Sequence, residues 1–501
     1  MKKICPALLT LIVILLVSGT AFPASEGTIV IAQGVDPGTL DPQDHYETPA
    51  FNVLLNICET LVVRDDEMKL TPLLATSWRL INDTTWEFSL RKGVKFHNGE
   101  DFNAAAVKFS LERIADGKNK LKQTTLVGII ARVETVDDYT VRVVTTKPYP
   151  YLDAQLGHIG AILPPKYTQE KGAAHIARNP VGTGPYKFVS WVKDDQLILE
   201  ANESYWRGRP KVKKVVFRPI PEATTRVAGL QTQEVDVIVN IPPHLARLMD
   251  WKGRSSVAKV PSSRVIFIAF DTTQGGPVAD KRVRQAVAQG IDVDKIIKNV
   301  LEGNALRLGT PFTKYHFGYD PAIEPYAFNP EKAKKLLAEA GAQSFQLTLN
   351  TPSGRYLNDK EVSEAVVADL RKIGIDAKVK INEWGTHMTM LYAHKGGPAY
   401  LLGWGGATFD ADATLFPMLR SGQVLSHYSN AKLDSMIEEA RSIMDKSKRQ
   451  RIYSEAAKLL KEEVPWAFAY QQMDIYGVSA RVNWKPRPDE KIFVFNMSFK
   501  K

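Results

Sequence analysis

One segment in the second half of the chain constrains the fold most, because it has the pattern of a strand, a helix and a second strand. Apolar and polar side chains alternate over 345–349 and again over 375–381, as they do in half-buried strands. Between them, Val362, Val366 and Leu370 recur at helical spacing. Two strands joined through a helix normally pair in parallel, with a right-handed crossover. The sequence therefore predicts an α/β unit here.

The ends of this helix carry signals of their own. Asn358 precedes the helix and Glu361 follows three residues later, which is the spacing of a capping box. Gly374 comes directly after the last apolar residue of the stripe and is a natural helix stop. An earlier helix over 331–340 has Pro330 at its first turn. Helices and strands are therefore expected to alternate along this region.

The chain before residue 271 has a different pattern from the chain after it. Short alternating segments there predict strands and hairpins, for example over 133–144 and 186–199. A chain of 501 residues is also too long for one simple core. We predict two lobes, one β-rich and one α/β, joined near residue 273. The strand-like stretch 492–499 is expected to return to the first lobe, which would give two crossings and a hinge.

The first 24 residues predict a secretory signal peptide. Lys2 and Lys3 precede an apolar run over 4–17, which is too short to span a bilayer, and small residues follow it. Cleavage is expected after Ala21 or Ala24. No later apolar stretch has spanning length, so we predict a soluble, exported, periplasmic protein.

The two cysteines predict no disulfide. Cys5 would leave with the signal peptide, and it lies too early to carry the lipid of a lipoprotein. Cys58 then has no partner, and its apolar surroundings favour a buried, inert thiol.

The net charge of +10 is mild for this length. The basic stretch near 207–214 is typical of a solvated edge, so no nucleic acid is expected as a partner.

Two loops follow predicted strands at the place where open α/β sheets bind ligands, beyond the carboxyl ends of the strands. The first loop is 351–357, and the second is 403–412. The candidate ligand-binding residues in these loops are Arg355, Tyr356, Trp404, Asp410 and Asp412.

The chemistry of these side chains suits a charged organic solute. Arg355 could hold a carboxylate through two N–H groups, while Asp410 or Asp412 could accept from an amine. Trp404 could stack on an apolar or cationic group. Each also has a structural explanation: a solvated arginine, a tryptophan packed at a tight turn, and an aspartate capping a helix that starts near residue 413. The residues alone leave these alternatives open.

Recognisable catalytic and metal-binding motifs do not occur. The nucleophile elbow, the zinc-protease helix and the phosphate-binding loop are all missing, and Gly182-Thr183-Gly184 lacks the third glycine of a dinucleotide site. His387 and His394 could share a helix face, but no cysteine or carboxylate near them in the sequence completes a metal set. We therefore expect no enzyme activity, no metal and no cofactor.

Several segments together resemble the family 5 extracellular solute-binding proteins, the dipeptide and oligopeptide binders of bacterial ABC importers. The likeness covers almost the whole predicted mature chain. The segments are ETL at 59–61, LTPLLATSW at 70–78, WEFSLRKGVKFHNG at 86–99, FNAAAV at 102–107, PVGTGPY at 180–186 and RVRQA at 282–286.

This resemblance implies an α/β two-lobe periplasmic binding protein of the class II, or cluster C, type. An extra β-rich subdomain would be inserted at about 60–180 in lobe I, which would comprise 25–273 and 479–501, and lobe II would comprise 274–478. The resemblance also implies that the protein captures a peptide or peptide-like anionic solute by hinge closure. It would then deliver the solute to the permease subunits of an ABC importer. We expect such a protein to act as a monomer.

The resemblance also bears on single residues. Family dipeptide binders carry an arginine in the loop before the capped helix, where it holds the ligand carboxylate, and Arg355 matches that position. They carry an aspartate three residues after the loop tryptophan, where it holds the ligand amine; Ala407 stands there instead. Asp410 matches a later aspartate of the same loop and is the candidate substitute. This loop is more similar to relatives that bind glutathione or opines, and binders of nickel complexes or haem are the remaining alternative.

Overall fold

A computed structural model of the chain describes residues 27–249 and 253–500, so the predicted signal peptide and Cys5 lie outside the described residues. The strands are β1 (Thr28–Gln33), β2 (Val62–Arg64), β3 (Leu70–Pro72), β4 (Ala75–Asn82), β5 (Thr85–Leu90), β6 (Ile130–Asp137), β7 (Thr140–Thr145), β8 (Tyr186–Val192), β9 (Gln196–Ala201), β10 (Lys214–Pro219), β11 (Val237–Ile238), β12 (Ser255–Phe270), β13 (Ala305–Arg307), β14 (Gln346–Pro352), β15 (Asp376–Asn382), β16 (Ala399–Trp404), β17 (Trp466–Ser479), β18 (Val482–Asn483) and β19 (Ser498–Phe499).

Helices cover the sheets and connect many of the strands. They are α1 (Thr48–Leu54), α2 (Ala104–Ala115), α3 (Thr124–Val127), α4 (Leu152–Leu156), α5 (Pro165–Lys171), α6 (Ala173–Ile176), α7 (Ala223–Gln231), α8 (Pro243–Ala246), α9 (Lys281–Gly290), α10 (Val293–Asn299), α11 (Pro330–Glu339), α12 (Asp359–Lys372), α13 (Trp384–Tyr392), α14 (Asp412–Leu419), α15 (Ala431–Ser442) and α16 (Lys446–Glu463). Short 3-10 turns lie at Gly117–Asn119, Pro277–Ala279 and Val494–Asn496.

One mixed sheet runs through the molecule. Its strand order is β15-β14-β16-β12-β17-β11-β1-β10-β9-β8, and β13 pairs with β17 off this path. Strands β12 and β17 are antiparallel neighbours in the middle of the sheet. The predicted α/β architecture is confirmed, and the sheet is continuous across the predicted lobe boundaries, which themselves stay a prediction.

The predicted strand–helix–strand unit is confirmed as β14, α12 and β15. β14 and β15 pair in parallel from Gln346 with Asp376 to Pro352 with Asn382. The apolar stripe of α12, represented by Val362 and Val366, is buried, and removing each such side chain from water contributes about 2 kcal/mol. Parallel pairing places the loops that follow both strands at the same edge of the sheet.

The predicted capping box at the start of α12 is wrong. Asn358 adopts a left-handed φ of 49°, and its side chain makes no cap hydrogen bond. Its amide instead donates to the carbonyl of Val300 at 2.8 Å. The carboxylate of Asp359, which is buried, accepts instead from the backbone N–H of Lys360 at 3.0 Å. The predicted stop is confirmed, since Gly374 follows the helix with a φ of 96°.

A separate small sheet, of order β4-β5-β7-β6, lies within the region predicted as the inserted subdomain. The hairpin predicted over 133–144 is confirmed by the antiparallel pair β6 and β7. Helix α2 covers this sheet, and its apolar face, with Val107 and Leu111, belongs to the same buried cluster as Phe88 and Val143. This small sheet and its helix thus belong to a hydrophobic cluster separate from that of the large sheet.

The predicted C-terminal strand over 492–499 is largely wrong. Only β19 pairs as a strand, with β18, and the residues before it form a 3-10 turn. Side chains replace the strand ladder: Asn52 accepts from the backbone N–H of Ile492 at 3.1 Å, and Asn56 accepts from that of Val494 at 2.8 Å. Ile492 and Val494 are nevertheless buried in the same apolar cluster as β1, so the chain end packs against the region predicted as the first lobe.

Candidate functional site

The loop between β14 and α12 is organised by one buried carboxylate. Asp359 accepts hydrogen bonds from the backbone N–H groups of Gly354, Arg355 and Tyr356 at 3.1, 2.9 and 3.0 Å. Burial raises the pKa of Asp359 despite these bonds, which lower it. Because three consecutive N–H groups bind one side chain, the loop has a fixed backbone, and the direction of Arg355 is set by it.

The side chain of Arg355 lies over two aromatic rings. Its guanidinium carbon is 5.1 Å from the ring centre of Tyr356 and 5.4 Å from that of Trp384. Among the described residues, it has neither a hydrogen-bond acceptor nor a carboxylate in salt-bridge range. Burial, followed by repulsion from Arg264, lowers the pKa of Arg355. This cation is therefore held in place by packing, with its N–H groups available.

The loop that follows β16 lies beside it. The carbonyl of Gly403 accepts from the hydroxyl of Tyr356 at 3.2 Å and from Arg264 at 3.1 Å, which ties the two predicted loops together. Gly406 has a φ of 53°, and a Cβ atom there would lie 2.3 Å from Nε2 of His316. The indole N–H of Trp404 donates to the carbonyl of Ala413 at 2.8 Å. This N–H group is therefore bonded within the protein, as it would be for a tryptophan that packs at a tight turn.

Asp410 and Asp412 both have arginine partners inside the protein. Arg449 donates to both oxygens of Asp410, at 2.9 and 2.8 Å. Arg441 lies 3.1 Å from Asp412, which also accepts from the hydroxyl of Tyr151. Burial raises the pKa of Asp412 to about 6. Both carboxylates are therefore buried and engaged by arginines of the protein, and neither forms a salt bridge with Arg355.

The contact of Tyr151 with Asp412 also joins the region predicted as the inserted subdomain to the region predicted as lobe II. Lys147 and Glu438 add a salt bridge of 3.0 Å between the same two regions. Arg64 of β2 donates to the carbonyl of Thr408 in the second loop. The two sides of the candidate site are thus in direct contact in this structure.

Arg264 enters the site from a β-bulge. The register of β12 against β17 shifts between Pro261 and Val265, and a bulge of this kind redirects a side chain from the sheet. Arg264 is 7% exposed and forms a salt bridge of 2.6 Å with Glu490. This buried pair stands next to Arg355 and is neutral overall.

Two further cations, one half-buried and one buried, lie nearby without a carboxylate partner among the described residues. Arg64 donates to the carbonyls of Met68 and Thr408, and its guanidinium carbon is 4.8 Å from the ring centre of Phe409. Lys491 is 8% exposed; burial, with repulsion from Arg487 and Arg64, lowers its pKa to about 8, while attraction to Asp489 opposes this fall. We call Arg64, Arg355 and Lys491 the unpaired cations.

One buried carboxyl group faces the same region. Asp474, on β17, is 2% exposed; its Oδ1 accepts from Gln472 at 2.7 Å, and its Oδ2 has no hydrogen-bond partner among the described residues. Burial, together with repulsion from Glu490, raises its pKa well above the ordinary value, while Arg264 and Arg355 oppose this rise. An incoming ammonium group would find an acceptor at this oxygen.

Sequence reasoning missed Arg64, Arg264, Asp474 and Lys491. Arg264 and Asp474 did carry a signal, because each is a charged residue beside apolar residues of a predicted or observed central strand. Lys491 carried none, because it lies in an irregular segment.

The predicted buried thiol of Cys58 is confirmed, and burial raises its pKa further. In the part of the chain that the structure describes, no helix is long and apolar enough to cross a membrane.

Comparison with known proteins identifies the family. Residues 69–426 match the bacterial extracellular solute-binding proteins, family 5, middle region. A glutathione-binding protein of Pectobacterium atrosepticum, GsiB, is 30% identical over 451 residues, covering 88% of this chain and 87% of that protein. The periplasmic binding protein DppA of Helicobacter pylori, solved with the peptide STSA, has a TM-score of 0.87 at 27% identity and covers 96% of this chain and 99% of its own.

A third relative has a different ligand. The binding protein AgaA of A. tumefaciens R10, solved with agropinic acid, has a TM-score of 0.83 at 25% identity, covering 95% of this chain and 99% of its own. The family match and these relatives span most of the chain, and the structural likenesses include both sides of the candidate site. The chain therefore belongs to the family 5 bacterial extracellular solute-binding proteins, and it is a substrate-binding protein of an ABC importer.

Proposed function

We propose that the protein captures a peptide-like solute with at least two carboxylates, of which glutathione is the first candidate, and hands it to a membrane permease. The observation that carries this proposal is the excess of positive charge at the site, held on half-buried and buried side chains. Arg64, Arg355 and Lys491 lack carboxylate partners among the described residues, while Arg264 is already neutralised by Glu490.

The unpaired cations make the ligand-free site costly and the complex favourable. A buried charge without a partner destabilises a protein, and an anion that pairs with it removes that cost. Arginine binds a carboxylate through two parallel N–H groups, so Arg355 is the proposed anchor for one ligand carboxylate. Lys491 and Arg64 would hold a second. A ligand that makes these contacts in the closed state stabilises that state over the open one.

Ala407 stands where family dipeptide binders carry the aspartate that holds the ligand amine, so the amine needs an acceptor elsewhere. We propose that Oδ2 of Asp474 accepts it, because this oxygen is buried and unpartnered among the described residues. An ammonium group beside it would lower the raised pKa of Asp474 and favour the carboxylate form. Asp410 is no longer the favoured substitute, since Arg449 already holds both of its oxygens.

The relatives support an anionic, peptide-like ligand. The glutathione-binding relative is 30% identical over most of both chains, and the AgaA structure holds agropinic acid. An opine is therefore the second candidate, favoured by the same excess of positive charge. A nickel complex or haem remains an outcome of the test below.

The test is a thermal-shift screen followed by calorimetry. The purified protein is heated with glutathione, neutral dipeptides, agropinic acid, nickel–histidine and haem, and glutathione is expected to give the largest rise in melting temperature. Arg355→Ala should then weaken glutathione at least tenfold, because a charge-assisted hydrogen bond contributes about 2 kcal/mol. The matched control is Lys485→Ala, a change at an exposed lysine of the same C-terminal region. A neutral dipeptide that binds more tightly than every anion tested would contradict the proposal.

Further properties complete the proposal. We propose that the protein is not an enzyme, that it acts as a periplasmic monomer, and that a signal peptide is removed after Ala21 or Ala24. Mass spectrometry of the exported protein would identify its first residue. Light scattering would give its oligomeric state, and chromatography of the released ligand would show whether it is chemically unchanged.

A further inference from the structure

A second group of ionisable side chains lies at the opposite end of the second lobe. Asp271 directly follows β12, and the antiparallel pairing of β12 with β16 places Phe270 opposite Ala399 and Val265 opposite Trp404. The end of β12 is therefore separated from the Trp404 loop by the length of β16. At about 3.4 Å per residue, this separation is about 17 Å. Asp271 consequently lies far from the candidate ligand site.

Two histidines meet Asp271 at this edge. Nδ1 of His427 lies 3.0 Å from Oδ2 of Asp271, and both residues are buried, at 3% and 1% exposed. The ring of His394 stacks on that of His427, with centroids 4.4 Å apart and planes inclined by 24°. One possible ligand atom from each of the three residues lies within 4.8 Å of the others. These distances are close to those of ligands around one metal ion.

The hydrogen bonds around the cluster leave one ring nitrogen without a hydrogen-bond partner among the described residues. Oδ1 of Asp271 accepts from the backbone and hydroxyl of Thr273, at 3.0 and 2.6 Å, which orients the carboxylate. Oδ2 then faces Nδ1 of His427 and favours a proton there. Nε2 of His427 is left with its lone pair, buried and without a partner among the described residues. A carboxylate that orients a histidine in this way is the usual support of a metal-binding imidazole.

We propose that Asp271, His394 and His427 form a binding site for one divalent transition-metal ion. Imidazole nitrogens of His394 and His427 supply the ligands, as Zn²⁺ and Ni²⁺ prefer, water completes the set, and the carboxylate of Asp271 orients His427 from behind. His394 is half-buried and ends the turn after α13 with a left-handed φ of 52°. Its ring is therefore partly exposed, and it would leave the stack to share an ion with His427.

The proposal is independent of the nature of the transported solute. Removal of the site should change metal binding and leave glutathione binding as it is in the wild type. A structural role alone, in which Asp271 only orders the chain after β12, would give a protein that binds no metal. These outcomes differ without reference to transport.

The test is titration of the tag-free protein with Zn²⁺, read by calorimetry, and with Co²⁺, read by visible absorption. The wild type is expected to bind one equivalent. His394→Gln and His427→Gln should each weaken binding at least tenfold, and Asp271→Asn should weaken it about 10- to 100-fold. His244→Gln, at an exposed histidine elsewhere, is the matched control and should change nothing.

Two results would overturn the site: no Zn²⁺ binding by the wild type, or unchanged affinity in His394→Gln. His394→Gln is the decisive variant if the buried His427→Gln fails to fold, because the ring of His394 is only half-buried. Circular dichroism and the melting temperature of each metal-free variant show whether it is folded.

Discussion

Replacing Lys491 by methionine should stabilise the ligand-free protein while weakening its ligand. Burial lowers the pKa of Lys491 from its ordinary value of 10.5 to about 8, so the folded protein holds the ammonium at a cost. Each pH unit of this difference corresponds to about 1.4 kcal/mol, which gives a cost of about 3 kcal/mol at pH 7. Methionine has a similar length and no charge, so Lys491→Met should raise the free energy of unfolding by about that amount.

The pH dependence of this gain has a definite sign. Between pH 8 and about 10.5 the unfolded chain binds the proton of Lys491 and the folded chain does not, so the wild type gains stability as the pH rises. The gain from Lys491→Met is therefore complete below pH 8 and disappears towards pH 10.5. Urea denaturation of both proteins at pH 7 and pH 10, with the exposed Lys485→Met as control, measures it.

The same variant should lose affinity for glutathione. Removal of one charge-assisted contact costs about 2 kcal/mol, which is a loss of about 30-fold. Opposite effects on stability and binding are the signature of a charge held for a ligand. A Lys491→Met protein that is less stable than the wild type at pH 7 would refute the reasoning.

Three further substitutions test the loops around the site. Asp359→Asn should lower the free energy of unfolding by about 3 kcal/mol in urea titrations, because the amide cannot replace the two backbone hydrogen bonds accepted by the second oxygen. Gly406→Ala should lower the melting temperature, since its Cβ would meet His316 and its φ is positive; an unchanged melting temperature would exclude this contact. In the wild type, the free energy of unfolding should fall as the pH rises from about 4 to about 6, and Asp412→Asn should remove this fall in urea titrations. In this pH range the folded wild type, with the pKa of Asp412 raised to about 6, binds a proton that the unfolded chain has released.

Local periodicity predicted the parts of the fold that depend on near neighbours. The unit β14–α12–β15 and the hairpins followed from apolar spacing, because each buries one face against its own surroundings. The C-terminal stretch misled the prediction, because its alternating apolar residues are indeed buried. Its backbone groups, however, bind Asn52 and Asn56 of a distant segment, and no local pattern shows that exchange.

The candidate site was only partly accessible to sequence reasoning. The positions of Arg355 and Trp404 followed from the rule that loops beyond parallel strands meet at one edge. Whether Asp410 faced the ligand or the protein depended on Arg449, which lies on a helix 39 residues further along the chain. Lys491 and Asp474 join the site only through the tertiary fold, so their roles required the structure.

The most direct test of an anion-binding site compares glutathione with its dimethyl ester. The two ligands share the peptide backbone, thiol and amine, and they differ by two negative charges. Calorimetry at pH 7 should show that the ester binds at least 100-fold more weakly, because two carboxylates lose their cationic partners at about 2 kcal/mol each. Equal affinity for glutathione and the ester would contradict the assignment of Arg64, Arg355 and Lys491 to the ligand.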